Sequence, residues 1–350
     1  MIARIKSWFS IKEIGSMAGI LLLSFVVGAL VLAAAGYDPF EAYAALAKGA
    51  FGDMDAVANT LAKATPLVFT GLAVAIAFRG GLFNIGAEGQ LYLGALAAAL
   101  AGVYFNGLPG ALHIAVVMIL AGAAGALWSS IAGFMKVRWQ AHEVIVTIML
   151  NYIALSLTDY LVNYKFKAEG MVPRTEQIAE SAQLLRLVAH SQWTIGFLFA
   201  LAAAGFAYWF LKHTVSGYEI RAVGSNADAA RTGGVSVGKR IVFAMAASGA
   251  FAGLAGAVEV MGVHHYFIKG ISPGYGFDGI AVAVLAKNHP LAIVLSAILF
   301  GALRSGSMLL DRTTDVPGDF VIIIQALVIL FVAIPWAFRK LKLKKRGGAR

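Results

Sequence analysis

Residues 89–135 contain no Asp, Glu, Lys or Arg. A helix that crosses the hydrocarbon core of a bilayer uses about 20 predominantly apolar residues, so this run holds more than one crossing. Asn106-Gly107-Leu108-Pro109-Gly110 divides it, because Gly and Pro interrupt helices. Two spans joined by a tight turn are expected. Residues 14–37, 187–211, 241–258 and 320–338 are further runs free of these four residue types. Residues 144–158 form a shorter run that reaches about Val162 once Asp159 lies near the surface, and residues 64–78 extend backward past Lys63. The chain is 60% hydrophobic and 13% charged, against roughly 25% charged in soluble domains. Lipid is therefore the solvent of most side chains, and it admits only structures that satisfy their own backbone. The expected fold is all-α and polytopic, with about eight to ten crossings.

Lys and Arg collect on the cytoplasmic side of membrane proteins. With the N-terminus inside and crossings alternating, 19 of the 28 basic residues fall inside, while 13 of the 18 acidic residues fall outside. The net charge of +10 is thus a topology signal. Nucleic-acid binding would need a basic face with base-reading or stacking groups, and none is present. Both termini come out cytoplasmic: a segment 1–13, a membrane domain 14–338 with a cytoplasmic loop at about 212–240, and a basic tail 339–350. The opening residues resemble a secretory signal. The apolar run that follows is long enough to span, so an uncleaved first helix is expected, with Ser10-Ile11-Lys12-Glu13 at capping-box spacing. Residues 277–286 and 291–303 flank Lys287-Asn288-His289-Pro290, and each piece is short for a full crossing. They form two short spans or a re-entrant hairpin. Broken backbone at membrane depth persists only where it is buried in protein or lines a wet cavity, which makes the hairpin a pathway candidate. Residues 65–105 share its layout, and paired interruptions point to an internal repeat around a central site.

Several patterns imitate catalytic motifs. Residues 233–240 follow phosphate-loop spacing until the last position, where Arg240 replaces the required Ser or Thr and no apolar strand precedes. Residues 274–279 match Gly-x-Gly-x-x-Gly without the βαβ unit that gives it meaning; close helix packing in lipid explains the glycines. His142-Glu143 lacks a second His, and His264-His265 face apart on a helix. Without cysteines there is no disulfide or thiolate site. No catalytic residue, metal or cofactor is expected.

Two segments carry more. In residues 79–90 four glycines let the backbone turn, while Asn84, Glu88 and Gln90 bring polar atoms to the edge of the lipid phase. This is either a solvated cytoplasmic turn or a hinge lining a pathway. In residues 218–235, Asn226 is a plausible N-cap with Asp228 in the first turn, and Gly233-Gly234 stops the helix. The result is a short cytoplasmic helix between two spans, or a plain surface loop.

LFNIGAEGQ at 82–90, IMLNYI at 148–153 and RAVGSNADAARTGGV at 221–235 resemble the inner-membrane permeases of bacterial ABC importers, in the branch for simple sugars, branched-chain amino acids and nucleosides. The first is similar to nucleoside permeases that work with basic-membrane-protein-type lipoproteins. The resemblance covers roughly residues 61–337. It implies a multi-pass subunit of the bacterial inner membrane, not an enzyme, that moves a small polar solute, a purine nucleoside foremost, by alternating access. It also implies three partners: a separate ATP-binding subunit, a second and different permease, and an extracytoplasmic solute-binding lipoprotein. Arg221, Gly224, Asn226, Ala230 and Gly233 correspond to the element that docks on the ATPase. A neutral nucleoside needs stacking and hydrogen bonds, for which Phe83, Asn84, Glu88, Gln90, Asn151, Tyr152, Phe277 and Asp278 are the pathway candidates. The rival reading is an ion- or proton-coupled secondary transporter acting alone, whose ionisable residues would be Glu259 and Asp159, near the outer ends of their spans.

The charge count generates a direct test. Because the chain has no cysteine, Ser225→Cys is expected to resist impermeant thiol reagents in intact cells, and Ala179→Cys to react. The opposite pattern inverts the topology.

Overall fold

The computed structural model describes residues 11–331. The tail 339–350, Ser10 of the expected capping box and the end of the last expected span lie outside the described residues. Thirteen helices are described: α1 Ile11–Ala34, α2 Pro39–Phe51, α3 Met54–Arg79, α4 Ala87–Tyr104, α5 Gly110–Trp139, α6 Glu143–Tyr164, α7 Gly196–His213, α8 Val215–Ser225, α9 Ala227–Thr232, α10 Val237–Glu259, α11 Tyr275–Leu285, α12 Pro290–Thr313 and α13 Phe320–Phe331. Extended pairing among the described residues is limited to two isolated bridges, Arg174 with Ile268 and Arg186 with Thr194. The fold is all-α, as lipid solvation requires.

The chain divides into two units, Val57–Ala302 and the two flanks Met1–Ala56 with Leu303–Arg350. In the flanking unit, Leu32, Leu46, Leu310, Phe320 and Ile324 from α1, α2, α12 and α13 share one core. Asp38 caps α2 by accepting from the Phe40 amide at 2.8 Å, and the Tyr43 hydroxyl donates to the Phe25 carbonyl at 2.6 Å.

In the larger unit α10 packs most extensively against α5 and α4, and α4 also meets α5, α6 and α11. Of the spanning stretch of α3, 83% is buried in protein, but of α5 and α6 only 28%. α5 is apolar around its whole circumference and yet mostly unburied. Ile119 and Leu127 point outward, so lipid is the only solvent that suits them. Where α4, α5 and α10 cross, glycines let backbones touch. A Cβ on Gly249 would run into the Gly125 carbonyl and the Ser129 side chain, and one on Gly253 into the Ala121 carbonyl. Lipid tails gain nothing from segregating these helices, so close van der Waals contact at small residues supplies the association.

The helix at 110–139, the break at 106–109 and the extension of α6 past Asp159 follow the sequence expectation. Two expectations need correction. The apolar run 187–211 is helical only from Gly196. Its first part doubles back, with the Leu187 amide donating to the Trp193 carbonyl at 2.9 Å. This return belongs to a long segment, 165–195, some of whose amides are taken by carbonyls near the C-terminal ends of α4 and α10: Ala179 donates to Gly102 at 2.9 Å and Leu184 to Met261 at 2.9 Å. The second correction concerns 291–303, which is the start of the 24-residue α12 and long enough to cross by itself. Its partner α11 has 11 residues, about 16 Å, half of a bilayer core. Among the described residues, five helices are long and apolar enough to span, six if the bent pair α7–α8 (74°) counts as one. Leu21–Ala34, α11 and α13 are shorter apolar helices beside them.

Gly249→Val is expected to separate α10 from α5, since the obstructing atoms are backbone and cannot rotate away. Overpacking of this kind costs about 1–3 kcal/mol or more. Thermal unfolding in detergent should show a lower midpoint than for Gly205→Val, where a Cβ meets open space; equal midpoints would refute the seam.

Candidate functional site

α3 ends at Arg79 and the chain turns through Gly81, whose φ of +72° suits glycine. Leu82 is then buried against Ala77, Leu150, Ile220 and Met245. Behind it, Asn84 is fully enclosed, at 0% exposure. Its Oδ1 accepts from the Gly86 amide at 2.9 Å and from Gln90 Nε2 at 3.0 Å. Its Nδ2 donates to Gln90 Oε1 at 3.0 Å and to Ser248 Oγ at 2.8 Å. Two donors and two acceptor lone pairs are the whole capacity of an asparagine amide, so Asn84 is saturated. Ser248 Oγ in turn donates to the Ala73 carbonyl at 2.6 Å. Asn151 of α6 performs the same task from the other side, donating to the Ile85 carbonyl at 2.8 Å and accepting from the Gly89 amide at 2.8 Å. Thr147 accepts from the Ile85 amide at 3.3 Å.

The depth of this turn follows from α6. That helix starts at Glu143, which is ion-paired to Lys136 at 2.5 Å. Asn151 lies eight residues further on, about 12 Å along the axis. The turn thus lies about two helical turns in from the start of α6, buried among helices, where irregular backbone survives only if protein satisfies it. Of the two readings of this segment, burial of Asn84, Glu88 and Gln90 rules out the solvated turn.

α11 meets the same turn. The Gly276 amide, in its first turn, donates to Glu88 Oε2 at 2.6 Å. A Cβ on Gly276 would strike the backbone of Ala87 and Glu88, so the N-terminal ends of α4 and α11 abut. Both ends favour negative charge, and Glu88 supplies it. The segment leading into α11 passes inward too, with Tyr92 Oη donating to the Ser272 carbonyl at 3.5 Å. From there α11 runs to the Lys287–His289 turn, where Arg79 Nε donates to the Asn288 carbonyl at 3.1 Å. This segment is a loop followed by a helix of half a bilayer core's length.

The pathway candidates therefore separate. Asn84, Glu88, Gln90 and Asn151 come together in one buried network. Phe83, Tyr152 and Phe277 are 54%, 64% and 49% exposed and do not join it, although Phe83 packs on Phe78 with ring centroids 4.8 Å apart. Asp278 is half-buried in the first turn of α11. Sequence reasoning missed Ser248, Thr147 and Gly276. Ser248 was detectable as a lone hydroxyl among small residues in an apolar run, the composition of a helix–helix contact.

On the basic side, Asn226 caps α9 as expected, accepting from Asp228 and Ala229 amides at 3.0 Å each. Gly233 closes the helix, followed by Gly234 at φ +85°. Ala230 is buried with Val223 and Val237. Arg221 and Gly224 lie on α8, a helix of its own. Gly224 does not serve a turn: a Cβ there would collide with the Arg79 carbonyl and the backbone of Gly80 and Gly81. α8 is thereby seated directly on the α3–α4 turn.

A profile described as branched-chain amino acid transport system / permease component matches residues 56–333. The chain belongs to this family of ABC transporter permeases. Relatives include the guanosine ABC transporter permease protein NupP of Bacillus subtilis, 43% identical over 93% of this chain and 95% of that protein. The glucose ABC transporter permease protein TsgB13 of Haloferax volcanii is 33% identical over 91% of this chain and 87% of its own length. The nucleoside ABC transporter permease protein NupB of Lactococcus lactis is 32% identical over 90% and 89%. No solved structure matches. As an ABC permease the chain is a multi-pass transport subunit and not an enzyme.

Asn84→Ala would leave Gln90, Ser248 and the Gly86 amide seeking partners, at a cost of about 1–3 kcal/mol. The expected result is a lowered unfolding midpoint in detergent, with Asn84→Ala and Gln90→Ala less than additive when combined, since they share one network. Strict additivity would show that the two amides act independently.

Proposed function

We propose that this chain translocates nucleosides, purine nucleosides foremost, as one permease of an ABC importer driven by a separate ATP-binding subunit and supplied by an extracytoplasmic solute-binding lipoprotein. The observation that carries this reading is its 43% identity with the guanosine permease along 93% of the chain. Similarity to two guanosine permease proteins of Bacillus subtilis, NupP and NupQ, and to two nucleoside permease proteins of Lactococcus lactis, NupB and NupC, supports a second, different permease as partner. Coverage of 93% and 90% of this chain by NupP and NupB, against 76% by each of the others, supports its role as the longer member. Both termini cytoplasmic, as the charge count favours, puts α8 and α9 on the ATPase side.

Alternating access requires elements with two arrangements that solute and motor bias differently. In the proposed mechanism the motor acts on α9 and α8. The contact of Gly224 with Gly80 and Gly81 delivers the displacement to the α3–α4 turn. Asn84 passes it to α10 through Ser248, and Glu88 passes it to α11 through the Gly276 amide. Phe83, Tyr152, Phe277 and Asp278 are proposed as solute-path groups at the edges of this scaffold. In this reading Asp159, paired with Lys269 at 2.9 Å, and Glu259, buried 3.7 Å from His264, are structural rather than ion-coupling groups.

The test is the reconstituted complex with its ATPase, partner permease and binding protein. Guanosine is expected to stimulate ATP hydrolysis and enter, while glucose and leucine are not. Asn226→Ala removes a cap worth about 0.5–2 kcal/mol and should weaken stimulation. Gly224→Val should abolish it while solute capture by the binding protein stays normal. Stimulation at the wild-type level in both variants would remove α8–α9 from the coupling role; stimulation by glucose alone would overturn the nucleoside assignment.

A further inference from the structure

Where α3, α7, α8 and the α11–α12 turn converge, positive charge gathers. Arg79 lies within electrostatic range of Arg221 on α8 and of His289. Lys212, in the last turn of α7, also acts on His289. Its ammonium lies 5.4 Å from the centroid of the Tyr208 ring and donates to Tyr208 Oη at 3.1 Å. That ring sits 5.9 Å from the His289 ring. Burial, Arg79 and Lys212 together hold the His289 imidazole below its ordinary value.

Neither Arg79 nor Arg221 is ion-paired with a carboxylate among the described residues. The acid closest to Arg221 in sequence, Glu219, is held by Arg240. Arg221 Nε is buried with no hydrogen-bond partner. Lys287 and Asn288 hold left-handed backbone, φ 50° and 56°, a conformation that non-glycine residues seldom adopt. Strain of this kind persists where the surroundings over-determine it and clusters at ligand clamps. Adjacent like charges, half-buried and with an orphan donor between elements, are completed by an anion.

The neighbourhood indicates which anion. Phe206 and Trp209 on α7 are 54% and 52% exposed, one to two turns before Lys212. Aromatic side chains in this setting mark the level of lipid headgroups, and basic pockets between membrane helices on the cytoplasmic side hold anionic headgroups. We propose that Arg79, Arg221, Lys212 and His289 bind the phosphate headgroup of an anionic phospholipid, whose acyl chains lie along the exposed face of α7. The choice of the inner leaflet rests on the orientation proposed above; headgroup preference itself does not.

The experiment is native mass spectrometry of the full chain released from symmetric nanodiscs of phosphatidylcholine with phosphatidylglycerol. Because the bilayer is symmetric, failure of the lipid site and failure of the orientation are distinguishable. The wild type should retain phosphatidylglycerol preferentially. Lys212→Gln and Arg79→Gln should each reduce that preference about five-fold, from the usual contribution of one basic residue near a charged surface. Lys239→Gln should leave it intact. Lys212 is exposed, so its variant reports even if Arg79→Gln fails to fold. Equal retention of the two lipids, or full preference in Lys212→Gln, overturns the proposal. So does complete displacement of phosphatidylglycerol by inorganic phosphate, which would make this a site for a free anion, or by an acidic peptide, which would make it a protein contact.

Discussion

Lipid offers no hydrogen bonds, and the turn joining α3 to α4 must therefore be satisfied by protein alone. Asn84 does most of this. By spending all four of its hydrogen-bonding positions on Gly86, Gln90 and Ser248, it satisfies a buried non-helical segment from within the protein. Asn151 completes the job from α6. Once the turn is fixed, α4 can begin inside the membrane region rather than at its surface, and the N-terminus of α11 can abut it at Glu88.

A buried network of this kind is costly when incomplete and rigid when complete. It binds five helices, α3, α4, α6, α10 and α11, into a body whose relative positions are set by short polar contacts. The glycine seam between α10 and α5 does the same by close backbone approach. Away from these contacts, α5 and α6 present apolar surface that the described residues leave uncovered. The interior is mostly apolar, as in a soluble protein, and what differs is the apolar outer surface; the buried polar groups of this body gather at the broken elements, the α3–α4 turn and the half-helix α11.

The α8–α9 element is seated directly on the α3–α4 turn. A cap at Asn226 and a small core of Val223, Ala230 and Val237 make it a defined body rather than a loose loop. Gly224 brings it against the backbone of Gly80 and Gly81 with no side chain between. A displacement of α8 has no soft layer to absorb it before it reaches the Asn84 clamp.

Charge-free runs, Gly-Pro punctuation and the asymmetry of Lys and Arg determined that this chain is helical, membrane-embedded and punctuated near residues 80–86, 106–110 and 287–290. The cap at Asn226 and the stop at Gly233 were also legible, because capping is a local interaction between neighbours in sequence. Tertiary structure alone decided which polar residues share a site. Asn84, Asn151 and Ser248 are far apart along the chain, and nothing in local propensity reports that one amide will exhaust itself on the others. It also decided that Phe83, Tyr152 and Phe277 face away from them, that residues 187–195 fold back instead of spanning, and that Gly224 is required by a neighbouring backbone rather than by its own dihedral angle. Local periodicity fixes what a segment is; which segments meet depends on packing across the bundle, where a hydrogen bond or a missing Cβ is meaningful only once its partner is in place.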